Sequence, residues 1–270
     1  MCSLKTMRHR AARTTAVGAF AAATCATLMT GSAGAIVNGD DASQRYPFMA
    51  TVPESAKDGS VQDGTCGATL IDPRWVVTAA HCVRGDIVLD GIVRIGSSHR
   101  KSGGTVRKIE RTIAHPGFRS GDGTSFNRHD IALVQLDRPV SQKPIGIAER
   151  AGRPGTPTRL LGFGTTVDGE MRFSPRLKEL DTRRGAASEC APGYASANRL
   201  CTISLRPKAM ACSGDSGGPQ LQKGRHGRWE LIGATSGPGA PGVACSDGPG
   251  LYVDVPAYAD WIRDTIKHKG

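Results

Sequence analysis

Short apolar runs separated by turn-forming residues make up most of the sequence beyond residue 35. Each run holds four to six residues, too few for a typical helix. Runs of this length between clusters of Gly, Pro and Asp predict β-strands. We therefore predict an all-β fold, either a sandwich or a barrel. The predicted strands are residues 75–80, 86–89, 92–95, 131–136, 159–163, 229–234 and 251–255.

Two segments depart from the strand pattern. Residues 256–266 carry apolar side chains at helical spacing behind Pro256, which predicts one amphipathic helix near the C-terminal end. Residues 138–157 are rich in Pro, Gly, Lys and Arg, a composition typical of a linker.

The first 35 residues have the composition of a secretory signal peptide. Four basic residues without an acidic one precede an Ala-rich run over residues 16–29, and Ala33-Gly34-Ala35 is a small-residue cleavage pattern. The run is too short and too rich in Ala and Thr to span a membrane comfortably. We expect residues 1–35 to be removed, the protein to be secreted, and no stable membrane anchor to remain. The basic residues of this leader are Lys5, Arg8, Arg10 and Arg13.

Charge and cysteine content argue against nucleic-acid binding and metal sites and predict disulfides. The formal net charge is +11, but the basic residues beyond the leader are scattered and lack interleaved aromatics, so we expect no nucleic-acid partner. Without CxxC pairs or Cys/His clusters we expect no metal and no cofactor, and residues 97–110, with one carboxylate, offer no calcium site. Six cysteines remain once residues 1–35 are removed, and an even set in an exported chain predicts three disulfides. These cysteines are Cys66, Cys82, Cys190, Cys201, Cys212 and Cys245.

The stretch from Cys212 to Pro219 holds the best candidate nucleophile, Ser216. A serine hydroxyl needs a base to take its proton and donors for the oxyanion that its attack creates. The neighbouring glycines let backbone N–H groups converge, so we expect those of Gly214 and Ser216 to be the oxyanion donors. Short Gly/Ser/Asp strings are also common as surface turns, so a base and an acid elsewhere must support the assignment.

His81 and Asp130 are the candidate base and acid. His81 follows an apolar run and precedes a cysteine that is expected to be in a disulfide, so its position is fixed. Asp130 leads directly into a predicted buried strand, where an unpaired carboxylate is costly and a histidine N–H would serve as its partner.

Three segments together resemble the signatures of the chymotrypsin/trypsin family of serine proteases, in the family's order of His, Asp and Ser. The likeness extends from Ile36-Val37-Asn38-Gly39, which resembles the family's mature N-terminus, to about Lys267. Leu161-Gly162-Phe163-Gly164 resembles its Gly-Trp-Gly segment, with Phe in place of Trp. The three signature segments are Thr78-Ala79-Ala80-His81-Cys82, Asp130-Ile131-Ala132-Leu133 and Gly214-Asp215-Ser216-Gly217-Gly218-Pro219.

The resemblance implies two six-stranded antiparallel β-barrels, residues 36–145 and residues 146–270, the second ending in a C-terminal α-helix. It implies an active site between the two barrels and a monomeric enzyme. The implied partners are protein or peptide substrates and protein protease inhibitors. Asp130 would hold His81, which would take the Ser216 proton, and Ser236 would bond Asp130. The implied disulfides are Cys66–Cys82, Cys190–Cys201 and Cys212–Cys245.

The resemblance also implies how the enzyme is activated. In the family a freed amino group pairs with the aspartate before the nucleophile, here Ile36 with Asp215. Because Ala33-Gly34-Ala35 ends directly before Ile36, signal-peptide cleavage would itself create the activating terminus.

The chain departs from its trypsin relatives at the specificity pocket. Where the resemblance places a pocket-floor aspartate this chain has Met210, followed by Ala211, and a thioether cannot pair with a substrate cation. Gly250 corresponds to a small wall residue, so we expect an open pocket for medium apolar or aromatic side chains. Ser236-Gly237 lacks the family's Trp and begins a long Gly/Pro-rich loop. Asp247 could restore cation binding there, although a surface turn is the simpler interpretation.

Two other functions fit part of the sequence. The Ser216 motif also satisfies the nucleophile elbow of α/β-hydrolases, but only His226 and His268 follow Ser216 and helical patterns are scarce, so we reject this class. The other alternative is a catalytically weak or inactive binding or adhesion module on the same fold.

Overall fold

The computed structural model describes residues 36–85, 87–121 and 125–269. The predicted signal peptide, residues 1–35, lies outside them. The described chain is built mainly of β-strands. The strands are β1 Asp40–Asp41, β2 Met49–Ala56, β3 Gly64–Asp72, β4 Trp75–Thr78, β5 Ile87–Leu89, β6 Ile92–Ile95, β7 Thr105–Ala114, β8 Ala132–Leu136, β9 Pro157–Gly162, β10 Lys178–Arg184, β11 Arg199–Ser204, β12 Pro219–Lys223, β13 Trp229–Pro238 and β14 Gly250–Asp254.

The strands close into two six-stranded antiparallel β-barrels, as predicted. In the first barrel the order is β3-β4-β8-β7-β6-β2, and β2 pairs back with β3 to close it, while β5 adds to β2. In the second the order is β10-β11-β14-β13-β12-β9, and β9 pairs back with β10, while β1 adds to β10. Closure leaves no long unpaired edge in either sheet.

Continuous apolar runs form the strands at the centre of the first barrel. β4 and β8 pair with Val77 opposite Leu133, and every residue of both strands is buried. One hydrophobic cluster includes residues of both barrels, among them Leu133, Leu161 and Val253. The barrels therefore share a core, which fixes the residues carried at their junction.

Helices are few in the described chain. The α-helix α1, Ala259–Lys269, follows a 3-10 turn at Val255–Tyr258, so the predicted C-terminal helix is present but its first turn, which contains Pro256, is 3-10. Ile262 is its buried residue. None of the helices in the described residues is long and apolar enough to cross a membrane. The other 3-10 helices are Ala80–Cys82, Ala187–Glu189 and Cys245–Asp247.

The predicted linker connects the two barrels but is packed against them. Val140 and Ile145 are buried, and Ile145 N–H donates to the Leu70 carbonyl. Ile147 forms a parallel bridge with Leu231. These contacts fix the connection between the barrels, so its Pro/Gly-rich composition does not make it a free tether.

Candidate active site

Ser216 lies in the turn that leads into β12 of the second barrel. Gly214 and Gly217 in this turn have φ of +87° and +73°, which disfavour residues with a side chain. A Cβ on Gly217 would lie 2.1 Å from Thr78 Oγ1 at the end of β4, so only glycine lets the turn approach the first barrel this closely. Gly67 N–H donates to the Ser216 carbonyl at 2.7 Å. These contacts hold Ser216 against the first barrel.

His81 and Asp130 belong to the first barrel. His81 lies in the 3-10 turn after β4, and the Cys66–Cys82 disulfide joins the next residue to β3. Asp130 lies just before β8, beside the end of β4. His81 Nδ1 lies 2.7 Å from Asp130 Oδ2, and the His81 backbone N–H donates to Asp130 Oδ1 at 2.9 Å.

Two further donors hold the Asp130 carboxylate. Ser236 Oγ on β13 donates to Asp130 Oδ2 at 2.6 Å, and Asn127 Nδ2 donates to the same oxygen at 3.0 Å. The Asp130 side chain is 1% exposed, whereas that of His81 is 27% exposed. The carboxylate is thus fixed by buried donors while the imidazole keeps access to the cleft.

The two groups shift each other's pKa. Burial opposes ionisation of Asp130, but the charge and hydrogen bonds of His81 and the hydrogen bond of Ser236 outweigh it and lower the Asp130 pKa. Burial also opposes a charged His81, but the charge and hydrogen bond of Asp130, together with the charge of Glu54, raise the His81 pKa above 6.5. The site therefore stabilises an imidazolium next to a carboxylate.

Ser216 and His81 line one cavity, which the oxyanion candidate Gly214 also borders. In the described chain no hydrogen bond joins the Ser216 hydroxyl to His81, a contact that commonly tightens only when substrate binds. The backbone N–H groups of Gly214 and Ser216 donate to no acceptor among the described residues. They are available to an incoming oxyanion.

A second cavity, of about 190 Å³, opens on the other side of Ser216. Four of the five predicted substrate-binding residues line this cavity: Met210, Ala211, Gly237 and Gly250. The fifth, Ser236, hydrogen-bonds Asp130 instead. The full lining is Met210, Ala211, Cys212, Ser213, Ser216, Thr235, Gly237, Pro238, Cys245, Pro249, Gly250 and Tyr252.

No carboxylate is among the residues that line this cavity. Asp247, which the sequence offered as a substitute cation partner, pairs with Lys208 Nζ at 2.5 Å on the surface and does not line it. A Cβ on Gly250 would lie 2.8 Å from the Tyr252 ring and 3.1 Å from Met210 Sδ, so the absence of a side chain there keeps the cavity open.

Asp215 is fully buried behind the turn that carries Ser216. Its carboxylate accepts from the backbone N–H groups of Gly164 at 2.7 Å and Cys212 at 3.0 Å, and also from Ile36. Burial raises the Asp215 pKa to about 7, against the lowering effect of these hydrogen bonds. Ile36 is also buried and has a φ of +56°, an unfavourable conformation for a β-branched residue within a chain. The structure thus brings Ile36 and Asp215 together.

Three disulfides are formed in the described chain. Besides Cys66–Cys82, Cys190 is joined to Cys201 and Cys212 to Cys245. The Cys212–Cys245 bond links the segment that precedes Ser216 to the loop that borders the 190 Å³ cavity. Within the described residues, the two groups of Cys, His and acidic side chains close enough to hold a metal both contain a disulfide-bonded pair, so neither offers free thiolates.

Sequence reasoning missed two residues of this site. Asn127 lies three residues before Asp130, a short separation that could have marked it as a neighbour. Glu54 borders the same cavity as His81, but it comes from a different strand and belongs to no motif, so no sequence signal singled it out.

Comparisons with known proteins agree with this geometry. A family model described as Trypsin matches residues 36–262. Kallikrein-11 of Homo sapiens is 32% identical over 213 residues, which span 75% of this chain and 72% of that protein. Kallikrein-8 of Homo sapiens is 33% identical over 215 residues, 76% of this chain and 78% of that protein. A solved structure of neuropsin, a serine protease expressed in the limbic system of mouse brain, superimposes with a TM-score of 0.70 at 26% identity, covering 86% of this chain and all of that one.

Proposed function

The chain belongs to the trypsin family of serine proteases, and we propose that it is a secreted endopeptidase that cleaves peptide bonds through Ser216, His81 and Asp130. The observation that carries the proposal is the 2.7 Å contact between His81 Nδ1 and Asp130 Oδ2, with His81 and Ser216 bordering one cavity. That contact leaves the other imidazole nitrogen free to face the serine, as a general base must.

The reaction follows from these positions. His81 accepts the Ser216 proton as Oγ attacks the substrate carbonyl, and the N–H groups of Gly214 and Ser216 stabilise the oxyanion. When the C–N bond breaks, His81 gives that proton to the leaving amine and an acyl-enzyme remains. Water then attacks the ester, His81 takes one of its protons, and the proton returns to Ser216 Oγ as the acid product leaves. Asp130 keeps its charge and stabilises the imidazolium throughout.

The 190 Å³ cavity is proposed to take the side chain that precedes the scissile bond. Its lining is largely apolar and includes Met210 rather than a carboxylate. Burying a substrate lysine or arginine there would leave its charge unpaired, at a cost of several kcal/mol. We therefore propose a preference for medium apolar or aromatic side chains, in contrast to cleavage after basic residues.

Activation is proposed to follow signal-peptide removal after Ala35. An ammonium group at Ile36 would replace the peptide N–H that now faces buried Asp215, and would offset its negative charge. A chain that starts at Ile36 also has no residue before it to impose a positive φ. N-terminal sequencing of the secreted protein tests this directly, and a start at any residue other than Ile36 would refute it.

Labelling with a fluorophosphonate probe tests the catalytic proposal. We expect the secreted protein to be labelled on Ser216 and the Ser216→Ala variant to remain unlabelled. Correctly processed, folded protein that takes no label would favour the alternative, an inactive binding module on this fold.

A further inference from the structure

The cavity that holds His81 also contains a carboxylate without a partner. This cavity, of about 220 Å³, has Ser216, Ser213 and Gly214 on one side and Glu54 of β2 on its wall. The remaining wall is mostly apolar and includes the Cys66–Cys82 disulfide. Its larger apolar side chains are those of Val61, Ile87, Met171 and Phe173.

The position of His81 identifies which half of the substrate this cavity receives. In acylation His81 donates its proton to the leaving nitrogen, so the leaving half of the substrate passes beside the imidazole. Ser216 borders both this cavity and the 190 Å³ cavity, but His81 borders only the 220 Å³ one of these two. The 220 Å³ cavity therefore lies on the leaving-group side.

Two acidic side chains of the described residues have a buried oxygen without a partner: Asp254 has the Arg184 charge nearby and a backbone hydrogen bond from Ala257, whereas Glu54 has neither. Its Oε2 is buried and has no hydrogen-bond partner among the described residues. By contrast Glu179 accepts from Ser43 and Tyr46 and pairs with Arg159. No lysine or arginine in the described chain forms an ion pair with Glu54.

The electrostatic surroundings of Glu54 leave it short of positive charge. Burial raises the Glu54 pKa to about 7, nearby Asp90 adds to the rise, and His81 opposes it. A buried carboxylate without donors is costly unless a partner arrives. A cation brought by the substrate would supply both the donors and the charge.

We propose that Glu54 selects a lysine or arginine side chain in the leaving half of the substrate, at the first or second residue after the scissile bond. The long apolar stem of either residue packs along Ile87, Phe173 and the disulfide, while its charged head reaches the Glu54 carboxylate. This inference rests on the proposed function, because it assigns a substrate class to the same active site. It makes the enzyme selective on two sides, with an apolar residue before the bond and a basic one after it.

Partitioning of the acyl-enzyme tests the leaving-group side alone. Protein starting at Ile36 is acylated with an N-blocked Phe or Leu ester at about pH 8.5, where a carboxyl of pKa about 7 is ionised. Amino-acid amides and water then compete for the acyl group, and the ratio of peptide to acid product is measured. The amides are those of Arg, Lys, Gln and Leu, together with Gly-Arg and Gly-Gln amides for the second position.

We expect the Arg or Gly-Arg amide to capture the acyl group about five- to tenfold better than its Gln counterpart. Glu54→Gln removes the charge at nearly constant volume and is expected to abolish that preference. Glu110→Gln removes an exposed charge from β7 of the same barrel and is expected to retain it. The rate of acylation by the ester reports whether each variant is folded.

A second measurement keeps the proposal falsifiable if Glu54→Gln fails to fold. In the unmodified enzyme the preference for the basic amides is expected to fall as salt rises from about 0.05 M to about 1 M, because salt screens the attraction that draws a cationic amide from solution towards the Glu54 carboxylate. If an enzyme that acylates normally captures each basic amide no better than its Gln counterpart, the role assigned to Glu54 is wrong, but the proposed function stands. An enzyme that forms no acyl intermediate overturns the proposed function, and this inference with it.

Discussion

Ser236 on β13 of the second barrel donates a 2.6 Å hydrogen bond to Oδ2 of Asp130, which precedes β8 of the first barrel. The bond crosses the junction of the two barrels at the carboxylate that holds His81. It therefore links the relative position of the barrels to the orientation of the imidazole.

Replacing this donor tests the link. Ser236→Ala is expected to lower kcat by about tenfold with little change in KM, because one donor to the charged carboxylate is lost while those from His81 and Asn127 remain. Steady-state kinetics on a peptide substrate measures this. Ser204→Ala, which removes a hydroxyl bonded to the Arg206 carbonyl in the same barrel, serves as the control and is expected to leave kcat unchanged. A Ser236→Ala enzyme with normal kcat would contradict the argument.

Asn127 offers a sharper electrostatic test. Its amide donates to Asp130 Oδ2 and its carbonyl oxygen accepts from the Gly121 N–H, so it ties a surface loop to the carboxylate. Asn127→Asp keeps the shape but places a second negative charge at about 3 Å, which raises the Asp130 pKa. We expect a loss in kcat of about a hundredfold for Asn127→Asp and about tenfold for Asn127→Ala. Equal losses in the two variants would show that the charge is not what matters.

The cavity next to Met210 makes a prediction about specificity. Gly250→Val adds a side chain whose first carbon would already lie 2.8 Å from the Tyr252 ring, so it fills the cavity. We expect kcat/KM for peptides with Phe before the scissile bond to fall by about a hundredfold or more, and for peptides with Ala to fall far less. We would measure kcat/KM of the unmodified enzyme and of Gly250→Val on a panel of peptides with Arg, Phe, Leu or Ala before the scissile bond. Strong cleavage after Arg by the unmodified enzyme would refute the apolar assignment.

The acidic limb of the pH–activity profile follows from the His81 pKa. In the proposed mechanism His81 must be neutral to accept the Ser216 proton, and Asp130 and Glu54 raise the His81 pKa above 6.5. Activity is therefore expected to be present above that raised pKa and to be lost as the pH falls through it. Removing the Glu54 charge in Glu54→Gln lowers the His81 pKa, so the acidic limb moves to lower pH. A profile of kcat/KM against pH for both enzymes tests this, and a shift to higher pH would contradict it.

The sequence indicated the all-β class but not which strands close the barrels. Runs such as Trp75–Thr78 and Ala132–Leu136 are buried on both faces, so their continuous apolar character was visible. The longer strand Thr105–Ala114 alternates partly buried residues with exposed ones, most of which are charged, so its sequence has no apolar run that predicts a strand. The two-barrel arrangement came from the resemblance carried by three short motifs. The pattern of apolar runs alone did not distinguish a barrel from a sandwich.

Candidate site residues were recognised where local chemistry required a partner. Asp130 precedes a buried strand, so its carboxylate was expected to need a hydrogen-bond donor. His81 precedes a cysteine expected in a disulfide, so its position was expected to be fixed. Glu54 escaped notice because its significance depends on a cavity that β2 shares with residues distant in sequence, and an unpartnered oxygen is a property of the packed structure. Asp215 and Ile36 are likewise far apart in the chain, and the resemblance alone paired them.

A pre-steady-state burst tests the central claim most directly. Protein starting at Ile36 is mixed with a chromogenic ester, the released leaving group is counted in the first turnover, and the quenched protein is mapped by mass spectrometry. The account predicts a burst of about one equivalent with the acyl group on Ser216, and no burst from Ser216→Ala or from protein that keeps residues before Ile36. Acylation at another residue, or full labelling of the uncleaved chain, would contradict it.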